Sequence, residues 1–350
     1  MTSVLIFAAG AALLIYSAEK LIVNLVGSAS GLRVSVFLLA IVFTGIEFDD
    51  VALGVALNIE DLGGVALGTV FGTAISMTGI VLALAAIMTP TRVNIPRSYI
   101  VLLAAAPLVM IPFILTAPLT AVHGLILLLL FVAFIGYVAT KELRSTTPVF
   151  RNAEILERIE VSGGGHSVVG TTDRPTDKPP FAVTVPFAKA HPLPGWAGIG
   201  LAVVALAGLV AGAALTSIGT EGILEDYAIE GTLFGATIAT LVLTIEDILL
   251  TVEPTRRGAP EIGVGNVIGS VVFGVTAKLG IILLAGGSIA VDDDVLSWHL
   301  PVLVVMTALA AYFLHTGRLR RWQGFVLLAL YIAYWVVSFT VLGEAPVEAD

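Results

Sequence analysis

The sequence predicts an all-α polytopic membrane protein, with ten transmembrane helices arranged as two inverted five-helix repeats. Three observations predict it. Of the 350 residues, 57% are hydrophobic and 12% are charged, where soluble domains carry roughly 25% charged residues. The apolar residues fall in ten runs of about 20, the length of helix that crosses a hydrocarbon layer of roughly 30 Å. The third observation is an internal repeat at a shift of 197 residues.

Taken in order, the first run, 3–25, has no basic lead-in or small-residue cleavage site and contains Glu19-Lys20. It therefore reads as a retained helix rather than a signal peptide. Runs 34–57, 64–88, 98–117 and 120–140 complete a first half, 1–140, and runs 196–218, 231–252, 263–288, 297–315 and 322–342 belong to a second, 196–350. Between them lies the polar segment 141–195, with Ser162-Gly163-Gly164-Gly165 and Pro175, Pro179 and Pro180. That composition predicts an irregular linker with a short helix near 152–161.

Charge sorts by connection. Fifteen of the 17 basic residues lie in odd-numbered connections: Arg33; Arg92 and Arg97; seven in the linker; Arg256 and Arg257; Arg318, Arg320 and Arg321. The other two, Lys20 and Lys278, lie inside spans. Short cytoplasmic loops collect Lys and Arg, so the odd connections and the linker are expected in the cytoplasm and both termini outside, in the plasma membrane. The even connections hold acids alone, among them Glu60, Asp61, Glu230 and Asp292–Asp294. The absence of cysteine excludes disulfides and thiolate metal sites.

The repeat aligns Gly68-Thr69-Val70-Phe71-Gly72-Thr73 with Gly265-Asn266-Val267-Ile268-Gly269-Ser270. In the same register Asp49-Asp50 falls on Glu246-Asp247, which sets the repeat signatures at 43–88 and 240–285. Five spans per half is odd, so span 7 crosses in the opposite sense to span 2. Inverted repeats of this kind are an architecture of secondary transporters, whose substrate sites lie near the midplane between the repeats.

Five carboxylates lie within these spans: Glu47, Asp49 and Asp50 in span 2, Glu246 and Asp247 in span 7. Ionisable groups at such depth cost about 2.5–3.5 kcal/mol each on translocon scales and mark ion or proton pathways. Lys278 is the one deep base expected beside them. The surplus of acid must take up cations or protons, and oxygen ligands suit hard ions such as Ca²⁺, Mg²⁺ or Na⁺. All five histidines are expected in loops or at span ends. On an intact helix Glu47 and Asp50 share a face, whereas Asp49 points about 200° away from Glu47. Either Asp49 and Glu246 face other partners, or the helices break locally. Thr69, Thr73 and Ser76, with Asn266 and Ser270, add hydroxyls and an amide that serve as interhelical hydrogen bonds or as ion ligands. Lys278 is a built-in counter-ion or a lock on Asp50 or Asp247.

At these residues the chain resembles the calcium/cation antiporter superfamily, whose members include sodium/calcium exchangers. Each half of that family carries Gly-Thr-Ser-x-Pro-Glu in its second helix and Gly-Asn-x-x-Gly-Ser about eighteen residues on. Gly265-Asn266-Val267-Ile268-Gly269-Ser270 matches the second element fully, and Gly258-Ala259-Pro260 resembles its usual lead-in. The resemblance implies that Asp50 and Asp247 are the central calcium ligands, with Glu47 and Thr244 at the hydroxyl position and Thr73 and Ser270 at the serine of the third and eighth helices. Asp49 and Glu246 replace the signature proline, and Met77 and Gly274 replace an amide or carboxylate. Those changes remove ligands from the flanking sodium positions and add acids that favour protons.

The expected activity is secondary antiport, exchanging Ca²⁺ for Na⁺ or H⁺ by alternating access. The alternatives are a proton-coupled antiporter for Mg²⁺ or Na⁺ and, from a different class, an intramembrane aspartyl protease, which also places two acids on two helices. No cofactor is expected, the ions being cargo. The expected partners are the lipid bilayer and small inorganic cations, with no nucleic acid.

Overall fold

The computed structural model describes residues 2–29, 47–93, 95–144, 195–256 and 260–342. Among them are ten helical stretches, α1 Thr2–Ala29, α2 Phe48–Ile59, α3 Gly63–Met88, α4 Arg97–Leu115, α5 Ala121–Arg144, α6 Gly195–Tyr227, α7 231–256, α8 260–286, α9 Val295–His315 and α10 321–342. Seven stretches of described residues are long and apolar enough to cross a membrane. The first part of span 2, Arg33, most of the linker with its expected short helix, and Gly258-Ala259 lie outside the described residues.

Nine-tenths of the most apolar stretch of α3, and the same share of α8, is buried, against 22% for α5. Hence α3 and α8 form the centre, while α4, α5, α9 and α10 turn their outer faces to lipid. Two backbone contacts fix how the helices run. The strand β1 (Thr91–Arg92), after α3, pairs antiparallel with β2 (Arg318–Leu319), after α9. At the other end of the bundle Leu119, after α4, bridges Ile289, after α8. Since α4 joins one end to the other, α3 must run toward the β1–β2 end and α8 away from it. By the same reasoning α2 and α7 run in opposite senses. This is the relation that an inverted repeat requires. The β1–β2 end gathers Arg92, Arg318, Arg320 and Arg321, and the opposite end gathers Glu60, Asp61, Glu230 and Asp292–Asp294.

The repeat also appears in backbone detail. Both central helices widen into a single π-helical turn, Met77–Val81 in α3 and Gly274–Lys278 in α8. The two turns are related by the same 197 residues. Wide turns of this kind free backbone carbonyls and re-aim side chains, and they recur at functional sites. A third lies at Gly235–Ala239 in α7, where the Thr240 hydroxyl donates to the Gly235 carbonyl at 2.8 Å.

Close approach depends on small residues, as it does wherever helices cannot rely on hydrophobic expulsion from water. A Cβ on Gly68 would press on the Thr232 carbonyl and lie 2.9 Å from the Ala236 nitrogen, and one on Gly235 would press on the Val65 carbonyl and lie 3.0 Å from the Thr69 nitrogen. Therefore α3 and α7 cross backbone to backbone. The pair α1 and α6 packs along its length through Ser17 and Thr216, both fully or nearly buried.

The N-terminus of α7 is capped by Glu230, whose carboxylate accepts from the backbone N–H groups of Thr232 and Leu233, each at 2.5 Å. Asp292 joins the same corner by accepting from the Thr232 hydroxyl at 3.0 Å. Loss of a cap costs about 1 kcal/mol. Glu230→Ala is expected to lower the melting temperature of the detergent-solubilised protein by a few degrees, and an unchanged melting curve would remove the cap from the account of α7.

Candidate functional site

The helix that carries the first-half acids starts beside them. Glu47 has φ −80° and ψ 88°, outside helical geometry, and α2 starts at Phe48. Its twelve residues rise about 18 Å to the acidic end, so the helix begins near mid-bilayer. Asp49 and Asp50 occupy its first turn, where the helix dipole favours negative charge. Their side chains part as the 100° step demands. The Asp49 carboxylate turns back on the amides of Asp49 and Asp50. Asp50, 3% exposed, points into the core.

There it meets Lys278, which has no exposed surface. The Lys278 ammonium forms an ion pair with the Asp50 carboxylate. It donates in addition to the Thr73 hydroxyl at 3.0 Å and the Thr69 carbonyl at 3.3 Å. Three oxygens from the first half thus surround a nitrogen supplied by the second. Lys278 closes the π-helical turn of α8, and that turn aims it across the bundle.

The second half contributes its own group. Asp247 on α7 is 7% exposed and accepts from the Asn266 amide of α8 at 3.4 Å, and the same amide donates to Thr251 at 3.2 Å. Glu47 lies between the two halves, in electrostatic reach of Asp247, Asp50 and Lys278 and beside Ser270. Both Glu47 carboxylate oxygens and the Ser270 hydroxyl are buried with no hydrogen-bond partner among the described residues. Thr244, one turn before Asp247, shares a hydrogen bond of 2.8 Å with Ser76 on α3.

The structure therefore brings together Glu47, Asp50, Asp247, Thr73, Ser270 and Lys278, and places Thr244 one layer away. Asp49 stands apart on its own helix end, and the Glu246 side chain lies outside the described residues. Asn266 and Thr251 partner Asp247. Thr251 is legible in hindsight, because it follows Asp247 by four residues and so shares its helix face. One expectation fails. His299 lies not at an exposed end but fully buried, its Nδ1 2.9 Å from the Tyr334 hydroxyl, because α9 begins four residues earlier in another π-helical turn, Val295–His299. It does not join the acids.

Among the described residues no three His, Asp or Glu side chains converge in metal-binding geometry. Any ion held here must complete its shell with hydroxyl, amide and backbone oxygens, which is ordinary for hard cations.

The family model for sodium/calcium exchanger proteins matches residues 2–140 and 197–340, both halves of the chain. The chain belongs to the sodium/calcium exchanger family. Among the relatives of this exchanger, the sodium/calcium exchanger MaX1 of Methanosarcina acetivorans is 30% identical over 118 residues, covering 33% of either protein. The membrane protein MJ0091 of Methanocaldococcus jannaschii is 23% identical over 343 residues, 93% of this chain and 94% of its own. The fold is that of the sodium-calcium exchanger NCX_Mj solved with 2.5 mM Na⁺ and 0.1 mM Ca²⁺, with a TM-score of 0.54, 20% identity and coverage of 98% of this chain and 99% of that one. The exchanger is accordingly a multi-pass secondary transporter of cations and not an enzyme.

Proposed function

We propose that this exchanger moves Ca²⁺ against Na⁺ or H⁺ by alternating access at the buried group of Glu47, Asp50 and Asp247. The observation that carries the reading is the convergence of acids from oppositely running helices at mid-bilayer depth, with unpartnered oxygens on Glu47 and Ser270 facing them. In this reading Asp50 and Asp247 supply the central charge and Glu47 binds the cation or carries a proton. Thr73, Thr244 and Ser270 complete the shell. Glu246 and Asp49 tune the field from the positions that flank the central acids. The halves 1–140 and 196–350, joined by the linker 141–195, work around a fixed core of α2, α3, α7 and α8 while α1 and α6 slide across it. The basic end faces the cytoplasm of a plasma membrane, and the acidic end draws cations from outside.

The naming of MaX1 as a sodium/calcium exchanger supports the sodium form. Met77 and Gly274, apolar where the family resemblance implies an amide or carboxylate, support the proton form. Uptake of ⁴⁵Ca²⁺ into proteoliposomes separates them, with an outward Na⁺ gradient in one arm, an outward proton gradient in the other and Asp50→Asn as control. Uptake is expected in one arm and absent from the control. Uptake in neither arm, with Mg²⁺ or Na⁺ moving instead, would overturn the calcium assignment.

A further inference from the structure

We propose that the β1–β2 pair is a binding site for the phosphate-bearing headgroup of an anionic phospholipid, held between Arg92, Arg318 and Arg320. The site is separate from the buried acids and independent of the ion they carry. Arg92 and Arg318 are register partners across the antiparallel strands, so their side chains leave the same face with Cβ atoms roughly 5 Å apart. Leu319 and Val93, 2% and 4% exposed, fill the opposite, inward face. Arg320 has extended backbone, with φ −111° and ψ 150°, and as the second residue after Arg318 it returns to the outward face. All three arginines are exposed, and neither connection, 89–96 or 316–320, contains a carboxylate.

Like charges directly opposite one another destabilise a strand pair. The bias of basic residues toward one side of a membrane accounts for their sign but not for their register, since arginines anywhere in the two connections would satisfy it. Nor does the pairing need them. The 197-residue repeat makes Ile289 the counterpart of Arg92, and Ile289 bridges Leu119 at the other end of the bundle with both side chains buried. An anion between the guanidinium groups turns repulsion into attraction, and a phosphate accepts from two planar forks at once. A lipid supplies that phosphate at this depth, because β1 and β2 directly follow helices long and apolar enough to span the bilayer. Trp322, 52% exposed and edge-on to Phe313 at 5.3 Å, stands beside the arginines, as tryptophans do at the headgroup level.

The test titrates delipidated, detergent-solubilised protein with phosphatidylglycerol, phosphatidylcholine or inorganic phosphate, reading the melting temperature and the lipid retained in native mass spectra. Phosphatidylglycerol is expected to be retained and to raise the melting temperature, and the other two at equal concentration are not. Arg92→Gln/Arg318→Gln should bind phosphatidylglycerol about thirtyfold more weakly, the equivalent of about 1 kcal/mol for each arginine at the surface. In phosphatidylcholine the same variant should melt no lower than wild type, since it loses only a repulsion. Arg256→Gln/Arg257→Gln removes equal charge from the end of α7 and should keep the wild-type response. Equal responses of the wild type to the two lipids would overturn the proposal without recourse to any variant. So would a phosphatidylglycerol response that survives in Arg92→Gln/Arg318→Gln, or one lost equally from the Arg256→Gln/Arg257→Gln control. Lower melting of Arg92→Gln/Arg318→Gln in phosphatidylcholine would make the arginines structural and overturn it too. A shift with inorganic phosphate as large as that with phosphatidylglycerol would make the occupant a free anion and overturn the lipid assignment.

Discussion

Asp247→Asn is expected to abolish cation-dependent flux, lowering it by at least about a hundredfold, while the protein still folds. The substitution keeps shape and one oxygen, so the contact with Asn266 survives. The charge does not survive. With Asp50 already engaged by Lys278, removing the Asp247 charge leaves Glu47 as the remaining acid of the central group. Removing one side of a buried charge interaction costs about 2–5 kcal/mol, and each 1.36 kcal/mol is tenfold. Tracer uptake in proteoliposomes beside the melting curve checks both halves of the statement. Flux within threefold of wild type would take Asp247 out of the site.

Gly235→Leu is expected to have the largest effect on folding. A side chain there has no room, because its Cβ would already press on the Val65 carbonyl and lie 3.0 Å from the Thr69 nitrogen. Both atoms are backbone and cannot rotate aside. Overpacking of a core costs about 1–3 kcal/mol and occasionally more, and here separation of α3 from α7 also pulls apart the helices that carry Thr73 and Asp247. The yield of monodisperse protein should fall severely. Gly274→Ala is the control, since its nearest neighbour is the Val70 carbonyl at 4.0 Å, and normal yield is expected. Equal yields from the two variants would mean that the α3–α7 crossing does not determine stability.

Much of this fold is legible in the chain. Run length and hydropathy place most helix ends within a few residues, because the bilayer sets the apolar length of a span; α6 instead continues to Tyr227, beyond the apolar run that ends at 218, because its last turns are polar. The 197-residue register, visible in Gly68–Thr73 and Gly265–Ser270, returns as matched π-helical turns that no hydropathy profile contains. Less legible is the choice of partner for Lys278. Lys278 and Asp50 are 228 residues apart, and their meeting depends on a turn that rotates one side chain toward the opposite half, a geometric fact without a compositional trace. The start of α2 after Glu47 is hidden for a related reason, since the sequence is apolar on both sides of that residue and hydropathy is blind to backbone angles. His299 escapes notice because burial of an imidazole needs only one tyrosine, thirty-five residues on.

That 228-residue separation has a consequence for how the protein is made. A ribosome delivers Asp50 to the membrane early and Lys278 late, after most of the chain has been synthesised. Throughout that interval the aspartate must insert without its final counter-charge, and α3 must stand in lipid or against provisional neighbours with Thr69, Thr73 and Ser76 not yet met by the second half. Assembly of the site is thus the closing event of biogenesis, and a nascent chain truncated before Lys278 would carry every helix of the first half and no finished place for an ion.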